Sequence, residues 1–260
     1  MWDWVEKAAE LRGQGLPFVV ATVVRVAGST PREAGAKMLV LADGTFFGTV
    51  GGGGSELKAL ADAKACLAAG ASKLVTYPLT PEADQLCGGE VEMFLELVND
   101  RPEVYVFGAG HVGQAMAQTL ADAPFAVHLV DERGEWVQSD RIPAGTRRHQ
   151  TGWADFVAAA RWSAEKTFVV IMTPSHRFDR QILTAVIRKP CRYLGMIGSG
   201  TKWQAMRGEM GKEGFTDAEL DRVTCPIGLP IGGKSPREIA ISVSAQLIAA
   251  FHDAGREALR

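Results

Sequence analysis

The chain has 260 residues, 47% of them hydrophobic and 22% charged, with a formal net charge of −2. That balance suits one large or two modest globular domains and excludes a disordered or fibrous chain. The near-neutral total argues against a nucleic-acid binder, no apolar run reaches the ~18 residues of a membrane helix, and Met1-Trp2-Asp3-Trp4-Val5-Glu6 is unlike a signal peptide, so the cytoplasm is the expected compartment.

Residues 2–13 read as a short helix with Trp4, Ala8 and Leu11 on one face. Pro17 opens a β-branched run, Phe18 to Val26, that predicts a strand. Two more strands, Lys37–Leu41 and Thr45–Val50, flank Ala42-Asp43-Gly44, whose Asp-Gly step signals a hairpin. The run Gly51 to Gly54 comes next, and Ser55 is expected to cap an Ala- and Leu-rich helix reaching about Ala69. Strands are predicted at Leu74–Tyr77 and Val91–Val98, around a loop holding Leu86-Cys87-Gly88-Gly89. Asn99-Asp100-Arg101-Pro102 marks a domain boundary, giving domains of 1–100 and 101–260.

Beyond the boundary the order is strand Val104–Phe107, a glycine loop and helix, then strand Ala126–Val130, with further buried strands at Thr167–Met172 and Arg192–Ile197. Strands alternating with helical patterns predict an α/β fold, a Rossmann-like parallel sheet with helices on both faces, preceded by a smaller α/β N-terminal domain. The last helix opens at Ser235-Pro236-Arg237-Glu238, a capping box with proline in the first turn, and Ala240, Val243, Leu247 and Phe251 form its core stripe.

Four places offer chemistry. In Gly108-Ala109-Gly110-His111-Val112-Gly113, Gly108 permits a tight turn, Gly110 lets the backbone approach a phosphate, and Gly113 lets helix and strand pack closely. Asp131, at the end of the next strand, sits where an acidic residue commonly binds a ribose hydroxyl. The run Gly51-Gly52-Gly53-Gly54 is more glycine than a turn requires, which favours a ligand loop; Glu56 beside it either binds a ligand amide or supplies first-turn charge to the helix. His176 and Asp179 lie one helical turn apart at a strand end, as an oriented imidazole or as capping and surface residues. Gly195 to Lys202 forms a fourth loop, with Lys202 available for phosphate. The four cysteines, Cys66, Cys87, Cys191 and Cys225, form no C-x-x-C pair, so neither a disulfide framework nor a zinc finger is expected, and a buried apolar side chain is the plain reading of each. Cys87, beside two glycines, is the least core-like and the best placed to touch a soft centre. No residue is assigned a catalytic or metal-ligating role.

These pieces resemble the xanthine dehydrogenase accessory protein (XdhC/CoxI-like) family over nearly the whole chain. The resemblance rests on Ala27-Gly28-Ser29-Thr30-Pro31-Arg32, Gly48-Thr49-Val50-Gly51-Gly52-Gly53, Cys87-Gly88-Gly89, Val106-Phe107-Gly108-Ala109-Gly110-His111-Val112, Leu194-Gly195-Met196-Ile197-Gly198-Ser199, and Cys225-Pro226-Ile227-Gly228-Leu229 ahead of Gly233-Lys234-Ser235-Pro236-Arg237-Glu238-Ile239-Ala240. It implies a chaperone that holds the molybdenum cofactor (molybdopterin), supports its sulfuration and hands it to xanthine dehydrogenase. A cysteine desulfurase partner and a homodimer are implied with it. Its expected cofactor-binding residues are Gly51, Gly52, Gly53, Glu56, Cys87, Gly108, Gly110, His111, Gly113, Asp131, His176 and Lys202. The alternative is an NAD(P)-dependent oxidoreductase, with NAD(P) or another nucleotide on the Gly108–Gly113 loop and His176 as acid–base.

Overall fold

The computed structural model describes residues 3–79 and 89–257. The chain divides into two compact units, Met1–Asp100 and Arg101–Arg260.

The first unit carries helix α1 (Asp3–Gly13), strands β1 (Phe18–Ala27), β2 (Lys37–Leu41) and β3 (Phe46–Gly48), helix α2 (Gly53–Ala69), and strands β4 (Lys73–Pro78) and β5 (Glu90–Val98). Its sheet runs β3-β2-β1-β5-β4, and every pairing is antiparallel. Alternation along β1 divides the burial. Val19, Ala21 and Val23 pack with Ala59, Ala63 and Cys66 of α2, whereas Phe18 and Val20 pack with Leu11 of α1. The third strand is shorter than the sequence predicts. Gly48 adopts φ +84°, where a Cβ would meet the Lys37 carbonyl oxygen at 2.6 Å, and the chain turns there. The N-terminus of α2 also differs, since Gly52 is its N-cap and Ser55 lies buried within the helix.

The second unit contains β6 (Glu103–Phe107), α3 (His111–Thr119), β7 (Ala126–Asp131), α4 (Gly134–Val137), β8 (Arg147–Gln150), α5 (Trp153–Ala159), β9 (Ser163–Ile171), α6 (His176–Val186), β10 (Cys191–Met196), α7 (Gly200–Lys212), α8 (Asp217–Asp221), β11 (Val223–Thr224) and α9 (Pro236–Glu257). Its six strands are all parallel, in the order β11-β10-β9-β6-β7-β8. Their long apolar runs have a simple cause: both faces are covered. Val104, Val106, Phe168 and Val170 join one core with α3 and α9, and Tyr105, Phe107, Val169 and Ile171 join the other with α5, α6 and α7. The chain winds outward from β6 in one direction and from β9 in the other, so the β6–β9 junction is the topological switch point, where a crevice opens outside the strand ends. No helix of the described residues is long and apolar enough to cross a membrane.

Candidate functional site

Three glycines of the β6–α3 loop serve three different ends. A Cβ on Gly108, at φ +115°, would meet the Met172 carbonyl oxygen at 2.5 Å, because the ends of β6 and β9 nearly touch. On Gly113 it would sit 2.0 Å from the Gly108 oxygen, so α3 packs hard against its own loop. Gly110 is different: its φ of −65° is open to any residue, and a Cβ there meets nothing within 4 Å. Protein packing therefore explains two of the glycines, and open space in front of the α3 N-terminus is what the third provides.

Beside this loop lies a cavity of about 260 Å³ whose lining includes Gly108, Asp131, Arg133, Trp153, Thr173 and Phe178. Asp131 is buried and fully engaged. Oδ2 accepts from the Ala109 N–H (2.8 Å) and Arg133 Nη2 (2.7 Å), and Oδ1 accepts from Arg133 N (3.0 Å) and Nε (2.9 Å). Burial pushes its pKa up, but these four bonds and the Arg133 charge bring it below the usual carboxylate range. A carboxylate offers about four lone-pair directions, and all are used. In this geometry Asp131 ties the strand end to the glycine loop; the ribose role expected from its position requires it to release Arg133.

Across the switch point, Asp179 is 1% exposed. Its Oδ1 accepts from Thr173 N (3.0 Å) and Oγ1 (2.7 Å), while Oδ2 is buried with no hydrogen-bond donor, 3.8 Å from His176 Nδ1. Burial raises its pKa against the opposing effects of Thr173, His176 and Lys202. His176 Nε2 is 2.7 Å from Lys202 Nζ. An ammonium only donates, so Nε2 accepts and the Nδ1–H faces Asp179. The structure thus joins the third and fourth sequence loops into one chain, Asp179–His176–Lys202, on the first turns of α6 and α7. Ser175 and Ser199 cap those turns.

Cys225, just past β11, has only a core reading in the sequence. In the fold it is half-buried, and a Cβ on Gly198 would lie 3.2 Å from its Sγ. Burial and the Asp179 charge push its thiol up to about 11, so it is protonated at neutral pH. The available signal is its place at a strand end, in the motif Cys225-Pro226-Ile227-Gly228. Arg133 and Thr173 escape sequence reasoning because no motif marks them, although their partners Asp131 and Asp179 lie only two and six residues away. Cys87 lies outside the described residues. Among those described, no group of three or more His, Cys, Asp or Glu is placed to hold a metal ion.

In the first unit the glycine run closes on its own helix. Glu56 Oε2 accepts from Thr49 Oγ1 (2.5 Å), Val50 N (3.0 Å) and Gly52 N (3.1 Å). Burial raises its pKa, and these bonds more than reverse that. Gly51, Gly52 and Gly53 have φ of +135°, +72° and +64°, so backbone conformation accounts for glycine at each. The loop amides of Val50 and Gly52 thus point at a carboxylate of the protein's own, Glu56, and not at open space.

Residues 104–247 match the XdhC Rossmann domain, and residues 11–78 match the XdhC and CoxI family. The chain is 33% identical over 247 residues to uncharacterized protein YqeB of Escherichia coli, covering 93% of this chain and 45% of YqeB. It is 26% identical over 156 residues to a probable xanthine dehydrogenase subunit of Bacillus subtilis, covering 60% of this chain and 45% of the relative. The chain thus spans about half the length of these two relatives. Against the E. coli molybdenum cofactor insertion chaperone PaoD the identity is 22% over 271 residues, covering 92% of this chain and 85% of PaoD. A crystal structure described as a xanthine dehydrogenase from Bacillus halodurans shares the fold, with a TM-score of 0.52, 22% identity and 96% coverage of each chain.

Proposed function

Because the chain belongs to the XdhC and CoxI family, whose Rossmann domain matches more than half of it, we propose that it is a molybdenum cofactor chaperone that holds molybdopterin and delivers it to a xanthine dehydrogenase-type enzyme. The reading extends to support of cofactor sulfuration with a cysteine desulfurase, to a homodimer and to the cytoplasm. PaoD, by its name, has the insertion role, and the Bacillus subtilis relative is named as a xanthine dehydrogenase subunit.

The residues fit the cofactor's parts. Its phosphate suits the open space over Gly110 at the α3 N-terminus, which is the observation that carries the proposal. Its pterin has N–H donors of the kind that the orphaned Oδ2 of Asp179 lacks. The half-buried thiol of Cys225 would meet its metal end as the thiolate, losing its proton on binding, and His176 would reach it by giving up the Nε2 contact with Lys202. When bound, the cofactor supplies the redox metal of the client; this chain's groups bind, orient and shield it. The NAD(P)-dependent oxidoreductase remains the competing reading, and the filled lone pairs of Asp131 count against it.

Gly110→Val tests the proposal, because the normal φ and empty surroundings let the fold accept a side chain. Equilibrium dialysis should show molybdopterin retention falling about tenfold or more, a loss of about 1.4 kcal/mol, with an unchanged melting curve. Wild-type protein should also raise the activity of cofactor-free xanthine dehydrogenase. Equal retention by the variant, or steady NADH production from a panel of alcohols and acids, would overturn the reading.

A further inference from the structure

A second cavity of about 260 Å³ lies between the first turns of α3 and α9, lined by His111, Gln114, Gln118, Arg141, Ser235 and Arg237, with Ala115 and Pro236. It shares no lining residue with the crevice at the sheet edge. We propose that it is an anion site that takes the phosphate or pyrophosphate group of a small molecule, separate from the sheet-edge crevice and meeting the Gly108–Gly113 loop only through His111.

Charge is the first argument. Two guanidiniums and an imidazole line the cavity, and no carboxylate does. Elsewhere Arg133, Arg147, Arg180, Arg188 and Arg207 each face an acid within 3.1 Å. Arg141 and Arg237 have no acid partner among the described residues. Two guanidiniums with no acid partner among the described residues, at one concave surface, carry the charge of a phosphate dianion with opposite sign, and their planar N–H forks match phosphate oxygens in pairs.

Preorganisation is the second. Gln118 Nε2 donates to the Arg141 carbonyl oxygen at 2.7 Å, and Ser139 Oγ accepts from the Arg141 N–H at 3.3 Å, so the backbone carrying one guanidinium is fastened to α3. The turn carrying the other is fastened by the α9 capping box. There Glu238 Oε2 accepts from Ser235 Oγ (2.6 Å), Ser235 N (3.0 Å) and Lys234 N (3.2 Å), and Ser235 Oγ accepts from Glu238 N (3.3 Å). Glu238 thereby occupies the two amides just ahead of α9 and Ser235 the Glu238 amide, so the attraction for a ligand rests on the guanidiniums. His111 rests edge-on against Trp136, with ring centroids 4.9 Å apart, which holds the imidazole at the cavity's rim.

The site gives a use to the segment Lys234-Ser235-Pro236-Arg237, which the sheet-edge crevice leaves unexplained. Calorimetry on the full chain with inorganic pyrophosphate and with ADP separates a bare phosphate requirement from a nucleotide one. Wild-type protein should bind at least one of the two probes. The double variant Arg141→Ala/Arg237→Ala should weaken that binding at least about tenfold without moving the melting temperature, Arg141→Lys/Arg237→Lys should recover part of it, and Gly110→Val should leave it unchanged. Absence of binding to both probes, equal affinity in the double alanine variant, or loss through Gly110→Val would each overturn the proposal. Loss of molybdopterin retention in Gly110→Val with pyrophosphate binding intact keeps the two sites distinct.

Discussion

A half-buried histidine pair shows how far a side chain's neighbours can move its chemistry. Arg147 Nη1 lies 2.8 Å from His128 Nε2 and 3.1 Å from Glu103 Oε1. A guanidinium only donates, so His128 accepts at Nε2 and donates from Nδ1 to His149 Nε2, 3.0 Å away. Burial above all, with the positive charge of Arg147 nearby, pushes His149 down to about 4 from its ordinary 6.5. Between those values the unfolded chain binds more protons than the folded one, so stability is full above pH 6.5 and is lost as pH falls toward 4. Glu103 is held at about 2 despite burial by the hydrogen bonds and positive charges around it, Tyr105 and Arg147 among them, so its contribution is lost only below its ordinary 4.5. Melting temperatures measured from pH 7 to pH 5 should therefore fall in the wild type and fall less in His149→Gln. Parallel pH profiles would remove His149 as the cause.

At the scale of elements, caps decide where helices begin, and the two units use different devices. Helix α2 starts on three glycines of positive φ with Glu56 folded back on the loop amides, whereas α8 starts on a capping box. Thr216 Oγ1 accepts from Glu219 N at 3.3 Å, and Glu219 Oε2 accepts from Thr216 N at 2.8 Å. Arg188 Nε also donates to Glu219 Oε1 at 2.7 Å, which ties this short helix to the end of α6. Thr216→Ala should cost about 1 kcal/mol, or roughly 2–4 °C in Tm for a domain of this size. Asp217, exposed in the same turn, is the control, and Asp217→Asn should shift Tm by less. Equal shifts would show first-turn charge, and not the reciprocal cap, to be what matters.

For the whole molecule, the two units close their cores by different rules. The N-terminal sheet is antiparallel, with α2 on one face and α1 on the other, and the C-terminal sheet is parallel with helices on both faces. Each of these cores is built within one unit, which is what independent folding requires. A fragment of residues 101–260 should therefore melt cooperatively and keep the pyrophosphate affinity of the full chain. Residues 1–100 should keep the far-ultraviolet circular dichroism of a mixed sheet and helix. A non-cooperative melt of the 101–260 fragment would show that its core needs the first unit.

The sequence by itself determined the elements whose cause is local. Apolar runs buried on both faces marked β6, β7, β9 and β10, the Asp43-Gly44 step marked the β2–β3 hairpin, and Ser235-Pro236-Arg237-Glu238 marked the start of α9. The parallel sheet with its glycine loop followed from those runs. The short strand β8, with its polar Arg147, Arg148, His149 and Gln150, was not legible, because its pairing with β7 and not its composition makes it a strand. Tertiary structure alone decided what the site residues do. It filled the lone pairs of Asp131 from Ala109 and Arg133, turned Glu56 onto its own loop, and left one oxygen of Asp179 without a donor. It also linked His176 to Lys202 and brought Arg141 and Arg237 to one cavity. A residue's propensity and pattern are set by its near neighbours in the chain, but its desolvation, and contacts such as Ala109 to Asp131 and Lys202 to His176, are set by segments tens of residues away, and those shape the ligand it can take.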